Sequence, residues 1–210
     1  MQSLIAEASV GELQERDVDI RIGSMLELAA GAGGYSEVFA TLSSDLVVSD
    51  LNRSPAFERE LAHIRFVEAD VRGSLPFPEH RFDFIYCASL IEHLEDRTNL
   101  YGECLRMLAP GGRALFSFPP FWSLTLVGGH QFKPFHLLGE RAAARWARVD
   151  SYSDHDLYPL TIRQVANELS DNGWHILDTW PRMWPSNTMR LPGLLADMLT
   201  WHACFLTEAA

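Results

Sequence analysis

Positive charge is scarce in this sequence. Lysine and arginine together number 17 against 28 aspartates and glutamates, which gives a formal net charge of −11, and Lys133 is the single lysine. Proteins that hold nucleic acid draw most of their affinity from basic residues that neutralise phosphates. The sequence contains no cluster of basic residues that would offset the negative net charge locally. We therefore expect no nucleic-acid partner.

Cysteine is also scarce, and long apolar runs are missing. The three cysteines, Cys87, Cys104 and Cys204, lack the C-x-x-C spacing of zinc or redox motifs. Such usage fits a reducing compartment better than a disulfide framework. No stretch reaches the roughly 18 apolar residues of a transmembrane helix, and the N-terminal segment lacks the basic and apolar regions of a secretory signal. We expect no integral membrane segment, no metal and a cytoplasmic location.

What is present is an alternation of short apolar runs with helix-like segments. This order is typical of a parallel sheet covered by helices on both faces. The predicted strands are Ser24–Leu28, Leu46–Asp50, Ile64–Asp70, Arg81–Cys87, Arg113–Phe118, His175–Trp180 and, in the tail, Trp201–Thr207. The predicted helices are Ser36–Leu42, Ser54–Ala62, Arg97–Leu108 (ended by Pro110-Gly-Gly112) and Thr161–Asn172. The pattern predicts an α/β, Rossmann-like, doubly wound sheet of about seven strands, mostly parallel. The tail is ambiguous, because Leu191–Met198 fits a helix and Trp201–Thr207 fits a final antiparallel strand.

The chain length favours one domain. At 210 residues and 47% hydrophobic content, two full domains would be cramped. The region of residues 121–159 is too long for an ordinary connection of about 2–6 residues. We therefore expect a single domain over residues 1–210 with an insert at about 121–159.

A glycine-rich turn follows the first predicted strand, in Gly31-Ala-Gly33-Gly-Tyr-Ser36. Glycines let a ligand approach the backbone, and the following helix presents its N-terminal amides. The dinucleotide pattern G-x-G-x-x-G fails here because a serine takes the place of its third glycine. A nicotinamide-dependent oxidoreductase is therefore disfavoured.

Three acids accompany the turn. Glu27 precedes it, Asp50 ends the second predicted strand and Asp70 ends the third. In an open parallel sheet, ligands bind outside the carboxyl ends of the strands, so all three acids would face one crevice. An acidic crevice suits S-adenosylmethionine (SAM), which carries a cationic sulfonium, an ammonium group, a ribose diol and an adenine amine but no phosphate.

Five segments, taken in order, resemble the motifs of class I SAM-dependent methyltransferases. They are Met25–Gly33, Asp50, Ala69–Val71, Phe82–Ala88 and Leu108–Gly112. Together they cover about residues 25–118, and the helix and strand predicted within 161–180 extend the resemblance. The resemblance implies a methyltransferase fold, SAM as cofactor and methyl transfer as the activity.

The resemblance also implies roles for individual residues. Glu27 would hold the methionine end of the cofactor, Gly31 and Gly33 would let the backbone approach it, and Asp50 would bind the ribose hydroxyls. Further cofactor contacts are expected at Ala29, Leu51, Asp70, Val71 and Cys87, with adenine at Asp70 and Val71. Ala29 departs from the family because it replaces the first glycine of the motif. Either its methyl group crowds the methionine moiety or the backbone there does not need a positive φ, and we expect binding to survive.

Two histidines are candidates for catalysis. An oxygen nucleophile usually needs a base tuned near neutral pH. His93 follows the fourth predicted strand, and this position favours a place near the methyl group; packing or helix capping is the alternative role. His130 lies in the aromatic-rich insert, next to the Gly128-Gly129 pair, with Lys133 as a further polar group there. Asp150, Asp154, His155 and Asp156 are interpreted as a solvated turn.

The acceptor is left open between several classes. Aromatic faces with a few polar groups suit a small molecule, a sugar or a lipid-linked acceptor, most simply methylated on oxygen. The alternatives are N- or C-directed methylation of a metabolite, and a subunit that binds SAM without catalysis. The apolar stretch of residues 191–206 is expected to finish the sheet, with a homodimer interface or a membrane surface as the other options.

Overall fold

The computed structural model describes residues 2–16, 18, 23–121, 158–182, 200 and 202–210. Helices and strands follow the order α1 (Gln2–Gln14), β1 (Ser24–Leu28), α2 (Gly34–Phe39), β2 (Asp45–Asp50), α3 (Pro55–Glu60), β3 (Arg65–Glu68), β4 (Phe82–Ala88), a 3-10 turn (Ile91–His93), α4 (Thr98–Met107), β5 (Leu108–Phe118), α5 (Ile162–Asp171), β6 (Trp174–Arg182) and β7 (His202–Ala209). Among the described residues, no helix is long and apolar enough to cross a membrane.

The seven strands form one sheet in the order β3-β2-β1-β4-β5-β7-β6. Strand β1 pairs in parallel with both β2 and β4, and β2 pairs in parallel with β3. The C-terminal strands are antiparallel, as predicted from the tail. The predicted Rossmann-like α/β fold is therefore confirmed, and β7 finishes the sheet by lying between β5 and β6.

By its internal contacts the chain divides into two compact units. The first contains residues 1–87, 99–114 and 209. Its core is apolar on β1, β2 and β4, where Leu26, Val48 and Phe84 are fully buried. Parallel strands buried on both faces carry such continuous apolar runs. The carboxyl ends of these strands are the part of this unit that bears the predicted cofactor residues.

The second unit contains residues 88–98, 115–208 and 210. Within it the rings of Phe116 and Trp174 meet edge to face, 5.2 Å between centroids. The Arg97 guanidinium, whose side chain is 9% exposed, bonds to both carboxylate oxygens of Glu168 on α5 at 2.7 and 2.9 Å. A bidentate pair of this kind fixes orientation as well as distance, so it holds α5 against the segment before α4. The predicted insert falls largely outside the described residues, and the single-domain assignment stays a prediction.

Several element boundaries differ by a few residues from the sequence prediction, and two of these differences lie in segments that resemble the family motifs. Strand β3 ends at Glu68, so Asp70 lies beyond the strand rather than at its end. Helix α4 ends at Met107, and β5 begins at once with Leu108 instead of after the glycine pair. The last carbonyls of α4 accept backbone N–H groups from His80 and Arg81 at 3.0 and 2.8 Å, which draws the chain into strand pairing early.

Helix α1 was not predicted. Its buried face combines apolar Ala6, Val10 and Leu13 with polar Ser9 and Glu12, which are 0% and 6% exposed. A helix is recognised in a sequence by an apolar stripe opposite a polar face. Two polar residues on the buried side interrupt that apolar stripe, so the sequence pattern does not indicate a helix here.

Candidate cofactor site

The turn between β1 and α2 is built from left-handed backbone. Ala29, Gly31 and Gly33 have φ values of 59°, 57° and 86°. The Ala29 N–H donates to a β2 carbonyl at 2.8 Å, which holds this conformation. The alternative that the backbone at Ala29 does not need a positive φ is therefore wrong. Alanine adopts this region at a cost of about 1–2 kcal/mol.

The two glycines of the turn are required for different reasons. A methyl group added at Gly31 would meet no atom within 4 Å, so this backbone faces open space. A methyl group added at Gly33 would lie 2.8 Å from the Phe57 ring and would also strike Leu61. Gly33 therefore lets α3 pack closely, whereas Gly31 leaves the turn open to a ligand.

Asp50 ties the end of β2 to this turn. One carboxylate oxygen accepts the Gly31 N–H at 2.8 Å and the other accepts the Leu51 N–H at 2.6 Å. The Gly31 carbonyl accepts the hydroxyl of Ser54, the N-cap of α3, at 2.9 Å. The Gly31 peptide is thus held from both sides, and each Asp50 oxygen keeps a second lone pair for a ligand hydroxyl.

Leu51 is an unusual neighbour for these polar groups. It is 53% exposed and is one of two large hydrophobic residues exposed among the described residues. An exposed leucine beside a carboxylate offers an apolar surface to a flat ligand group. The exposure of Leu51 is compatible with the cofactor contact that the resemblance implies at this residue.

Glu27 lies beneath the turn as a buried acid. It is 2% exposed, and one carboxylate oxygen accepts the Ser36 hydroxyl at 2.6 Å. Burial raises the pKa of this carboxyl to about 8; the Ser36 hydrogen bond opposes the rise and the charge of Asp50 adds to it. Sequence reasoning missed Ser36, although the serine in the third-glycine position of the failed dinucleotide pattern marked it.

Asp70 and Val71 lie in the loop after β3. The Asp70 carboxylate is bonded by the Arg72 side chain at 2.8–3.1 Å and by the Arg72 N–H at 2.9 Å. These hydrogen bonds hold the pKa of Asp70 below its usual value. Asn99, at the start of α4, donates to the carbonyls of Val71 and Gly73 at 2.9 and 2.8 Å. Neither Arg72 nor Asn99 was identified from the sequence.

Cys87 lies in β4, fully buried and in register with Leu28 of β1. Burial keeps its side chain within the sheet. The whole residue is 0% exposed, so neither its side chain nor its main chain is open to a ligand in this structure.

The turn after β4 belongs to the second unit and carries Glu92 and His93. Glu92 is 1% exposed, and neither carboxylate oxygen has a hydrogen-bond partner among the described residues. Burial raises the pKa of Glu92 to about 8, and the N–H of its own backbone, which lies too far from ideal hydrogen-bond geometry to count as a partner, opposes the rise. His93 is half-buried, and its N–H donates to the Leu90 carbonyl at 2.9 Å. Glu92 was not singled out from the sequence, because burial without a partner is a tertiary property.

The same turn anchors one end of the predicted insert. The Tyr158 N–H donates to the Glu92 carbonyl at 2.7 Å, and the Phe121 N–H donates to the Leu160 carbonyl at 2.8 Å. These two hydrogen bonds tie the described residues on either side of the predicted insert to each other and to the turn after β4. His130, Lys133 and the acids at 150–156 lie outside the described residues. Within the described part of the chain, no group of three or more His, Cys, Asp or Glu side chains is placed to hold a metal ion.

The first unit thus brings together part of the predicted set. Glu27, Asp50 and Leu51 gather around the exposed backbone of Gly31, a combination able to take a ligand with both cationic and hydroxyl groups. Residues 26–116 match the family model described as a methyltransferase domain.

Comparisons with individual proteins agree with that match. The chain is 28% identical over 164 residues to a ubiquinone biosynthesis O-methyltransferase of Pseudomonas putida (strain W619), covering 68% of this chain and 69% of that protein. It is 31% identical over 147 residues to an uncharacterized methyltransferase of Mycobacterium marinum, covering 68% of this chain and 57% of that protein. Its fold is similar to the crystal structure of a SAM-dependent methyltransferase from Mesorhizobium loti, with a TM-score of 0.62, 19% identity, and coverage of 89% of this chain and 92% of that chain.

Proposed function

Because the chain is a class I SAM-dependent methyltransferase, we propose that it methylates a hydroxyl group of a small molecule. The observation that carries the proposal is the acidic, open turn of the first unit, in which Asp50 bonds the exposed Gly31 backbone. This arrangement fits the ribose and methionine parts of SAM. Methyl transfer from SAM is an in-line displacement, so the enzyme's main task is to hold the acceptor oxygen on the axis of the sulfur–methyl bond.

The proposal assigns a cofactor contact to each of the following residues. Asp50 binds the ribose hydroxyls, Glu27 the ammonium group, and Leu51 packs against the adenine. Asp70 and Val71 contact the adenine edge, and Arg72 keeps the Asp70 carboxylate ionised. The smaller contacts come from Ala29, Gly31 and Gly33.

An oxygen acceptor is supported by the relative from Pseudomonas putida, which is named as an O-methyltransferase. An alcohol or phenol is a poor nucleophile until its proton is removed, and His93 is the described residue proposed to remove it. His130 is a second proposed base, in the insert. The acceptor class is a hydroxylated ring of a small molecule; sugars and lipid-linked alcohols are the other hydroxyl acceptors to be compared.

The test is a transfer assay with purified protein and SAM. Phenols, sugars, lipid-linked alcohols, amines and carbon acids are supplied separately, and S-adenosylhomocysteine (SAH) and the methylated product are identified by mass spectrometry. The proposal predicts SAH release with a phenolic or other hydroxyl acceptor and a new O–CH3 group in the product. Turnover confined to amines or carbon acids contradicts it.

A variant of His93 tests the proposed base. His93→Ala is expected to lower kcat by about 10²-fold or more, the usual range for a general base. The affinity for SAH should stay unchanged, because the cofactor residues are untouched. An unchanged kcat in His93→Ala assigns the histidine to packing.

A further inference from the structure

Glu27 is a buried acid that forms no ion pair with a basic side chain among the described residues. Among the described residues, its hydrogen-bond partner is the Ser36 hydroxyl, which is neutral, and Ser36 itself is fully buried. A carboxylate that is removed from water without a cation is strongly disfavoured, so such a group keeps its proton. In the cofactor-free protein Glu27 is therefore a neutral carboxylic acid.

The elements around Glu27 supply nothing that would change this. On β2 its register neighbour is Val48, and the nearest charge that acts on it is another acid, Asp50. On β4 its register neighbour is Tyr86, a neutral phenol. On α2 the partner is Ser36. Among the described residues, the groups that shift the pKa of Glu27 are Ser36 and Asp50, and neither is a cation.

We propose that Glu27 and Ser36 form a proton-exchanging clasp for the ammonium group of the cofactor. As the ammonium arrives, directly or through a water molecule, the O–H bond of the Glu27 carboxyl breaks and its proton passes to the solvent. The carboxylate that remains pairs with the ammonium, and the Ser36 hydroxyl donates to it and fixes its orientation. No other covalent bond changes. Ser36 is a positioning residue in this inference, which rests on the proposed function.

The clasp makes cofactor binding depend on pH. With a pKa of about 8 in the free protein, roughly nine-tenths of Glu27 is protonated at pH 7. Binding then has to expel that proton, and affinity rises as the pH approaches the free pKa. Above it the carboxylate is already formed, and affinity becomes level.

The first experiment counts protons. SAH keeps the ammonium group and lacks the sulfonium charge, so it isolates the clasp. Its binding heat is measured calorimetrically at pH 7 in phosphate and in Tris, which differ widely in ionisation enthalpy. The clasp predicts release of about 0.9 proton per SAH bound, and an affinity that rises by up to about tenfold per pH unit between about pH 6 and 8.

Variants separate the two members of the clasp. Glu27→Gln is expected to bind SAH more weakly and to release no proton, which also corrects for any proton lost from SAH itself. Ser36→Ala loses the hydrogen bond that favours the carboxylate, so the pH profile should move to higher pH and SAH should bind more weakly at pH 7. Ser36→Thr keeps a hydroxyl and should restore both. Ser49→Ala is the matched control, since Ser49 is a buried serine whose hydroxyl has no partner among the described residues.

The possible outcomes are distinct. SAH that binds with the same heat in both buffers, and with equal affinity at pH 6 and pH 8, overturns the clasp and leaves the proposed function intact. Failure of SAH and SAM to bind under any condition contradicts the proposed cofactor site and the clasp together. The proton count is made on the unaltered protein, so the test does not depend on whether every variant folds.

Discussion

At the scale of single residues, two features depart from the ordinary chemistry of their positions. Ala29 adopts a left-handed backbone that favours glycine, with φ at 59°. Glu92 is a buried carboxyl with no hydrogen-bond partner among the described residues. Strain and unpaired buried polar groups of this kind are found where a site is kept ready for a ligand. Both can be tested without knowing the acceptor.

Replacing Ala29 by glycine should stabilise the protein. The left-handed backbone destabilises the folded state of the alanine protein by about 1–2 kcal/mol. Glycine removes this cost, but its greater freedom in the unfolded chain offsets about 0.4–1 kcal/mol of the gain. Urea unfolding of Ala29→Gly should therefore show a gain of about 0.5–1 kcal/mol. Ala30→Gly is the matched control, since Ala30 has no positive φ, is buried, and should be destabilised. Equal losses in the two variants would contradict the strain at Ala29.

The buried Glu92 should make stability depend on pH. Its pKa is about 8 in the folded protein against an ordinary 4.5, so the folded state holds a proton that the unfolded state has lost. The stabilising contribution of this proton is complete below about pH 4.5 and is lost as the pH rises toward 8, at up to about 1.4 kcal/mol per pH unit.

Glu92→Gln, which is neutral at every pH, should weaken this decline. Thermal unfolding between pH 5.5 and 8.5 measures it, and the exposed Glu95→Gln is the control. A slope that Glu92→Gln leaves unaltered would show that Glu92 is not the titrating group, whereas Glu27→Gln should remove a separate part of the slope.

At the scale of elements, the glycine-rich turn between β1 and α2 depends on how α3 packs. Gly31 and Gly33 share a left-handed backbone, yet only Gly33 lies against Phe57 and Leu61. The sequence predicted both glycines as one feature, because their spacing says nothing about which side of the turn faces a neighbouring helix. The same limit explains α1, whose buried Ser9 and Glu12 hide its apolar face.

Alanine at each glycine should separate backbone strain from packing. Both variants carry a left-handed penalty of about 1–2 kcal/mol. Gly33→Ala should be destabilised further, because its methyl group would lie 2.8 Å from the Phe57 ring. Gly31→Ala should lose stability only through strain but bind SAH at least tenfold more weakly, since its methyl group enters the open space in front of the turn. Equal stability losses, with SAH affinity unchanged in Gly31→Ala, would contradict this division.

At the scale of the whole molecule, the alternation of strands and helices carried the prediction of the fold. The mostly parallel sheet follows from apolar runs and turn residues that are visible in the sequence. The antiparallel end was expected from the family resemblance, because the pattern of the tail alone is ambiguous. The roles of Ser36, Asn99, Arg72 and Glu92 could not be predicted in this way. The contacts of Ser36, Asn99 and Glu92 depend on folding: Asn99, for example, bonds to the carbonyls of Val71 and Gly73, which lie far from it along the chain. Arg72 bonds to Asp70 only two residues away, but the residue types alone do not show that this pair forms.

The net charge of −11 also acts on the whole molecule. It favours approach of a cationic cofactor and opposes polyanions such as nucleic acids. We propose a hydroxylated small molecule as the acceptor and a contact between this acceptor and His130. A homodimer is also a proposal.

The central claim is that the acidic turn formed by Glu27, Gly31 and Asp50 binds SAM. The most direct test is thermal unfolding with SAM, SAH or NAD, in the unaltered protein and in Asp50→Ala. Asp178→Ala is the control, because Asp178 also accepts the N–H of the following residue, at 2.8 Å, but lies on β6. We predict stabilisation by about 2.7 kcal/mol at a hundredfold excess of SAM or SAH over Kd, retained in Asp178→Ala and lost in Asp50→Ala. Stabilisation by NAD alone, or an equal shift in Asp50→Ala, would contradict it.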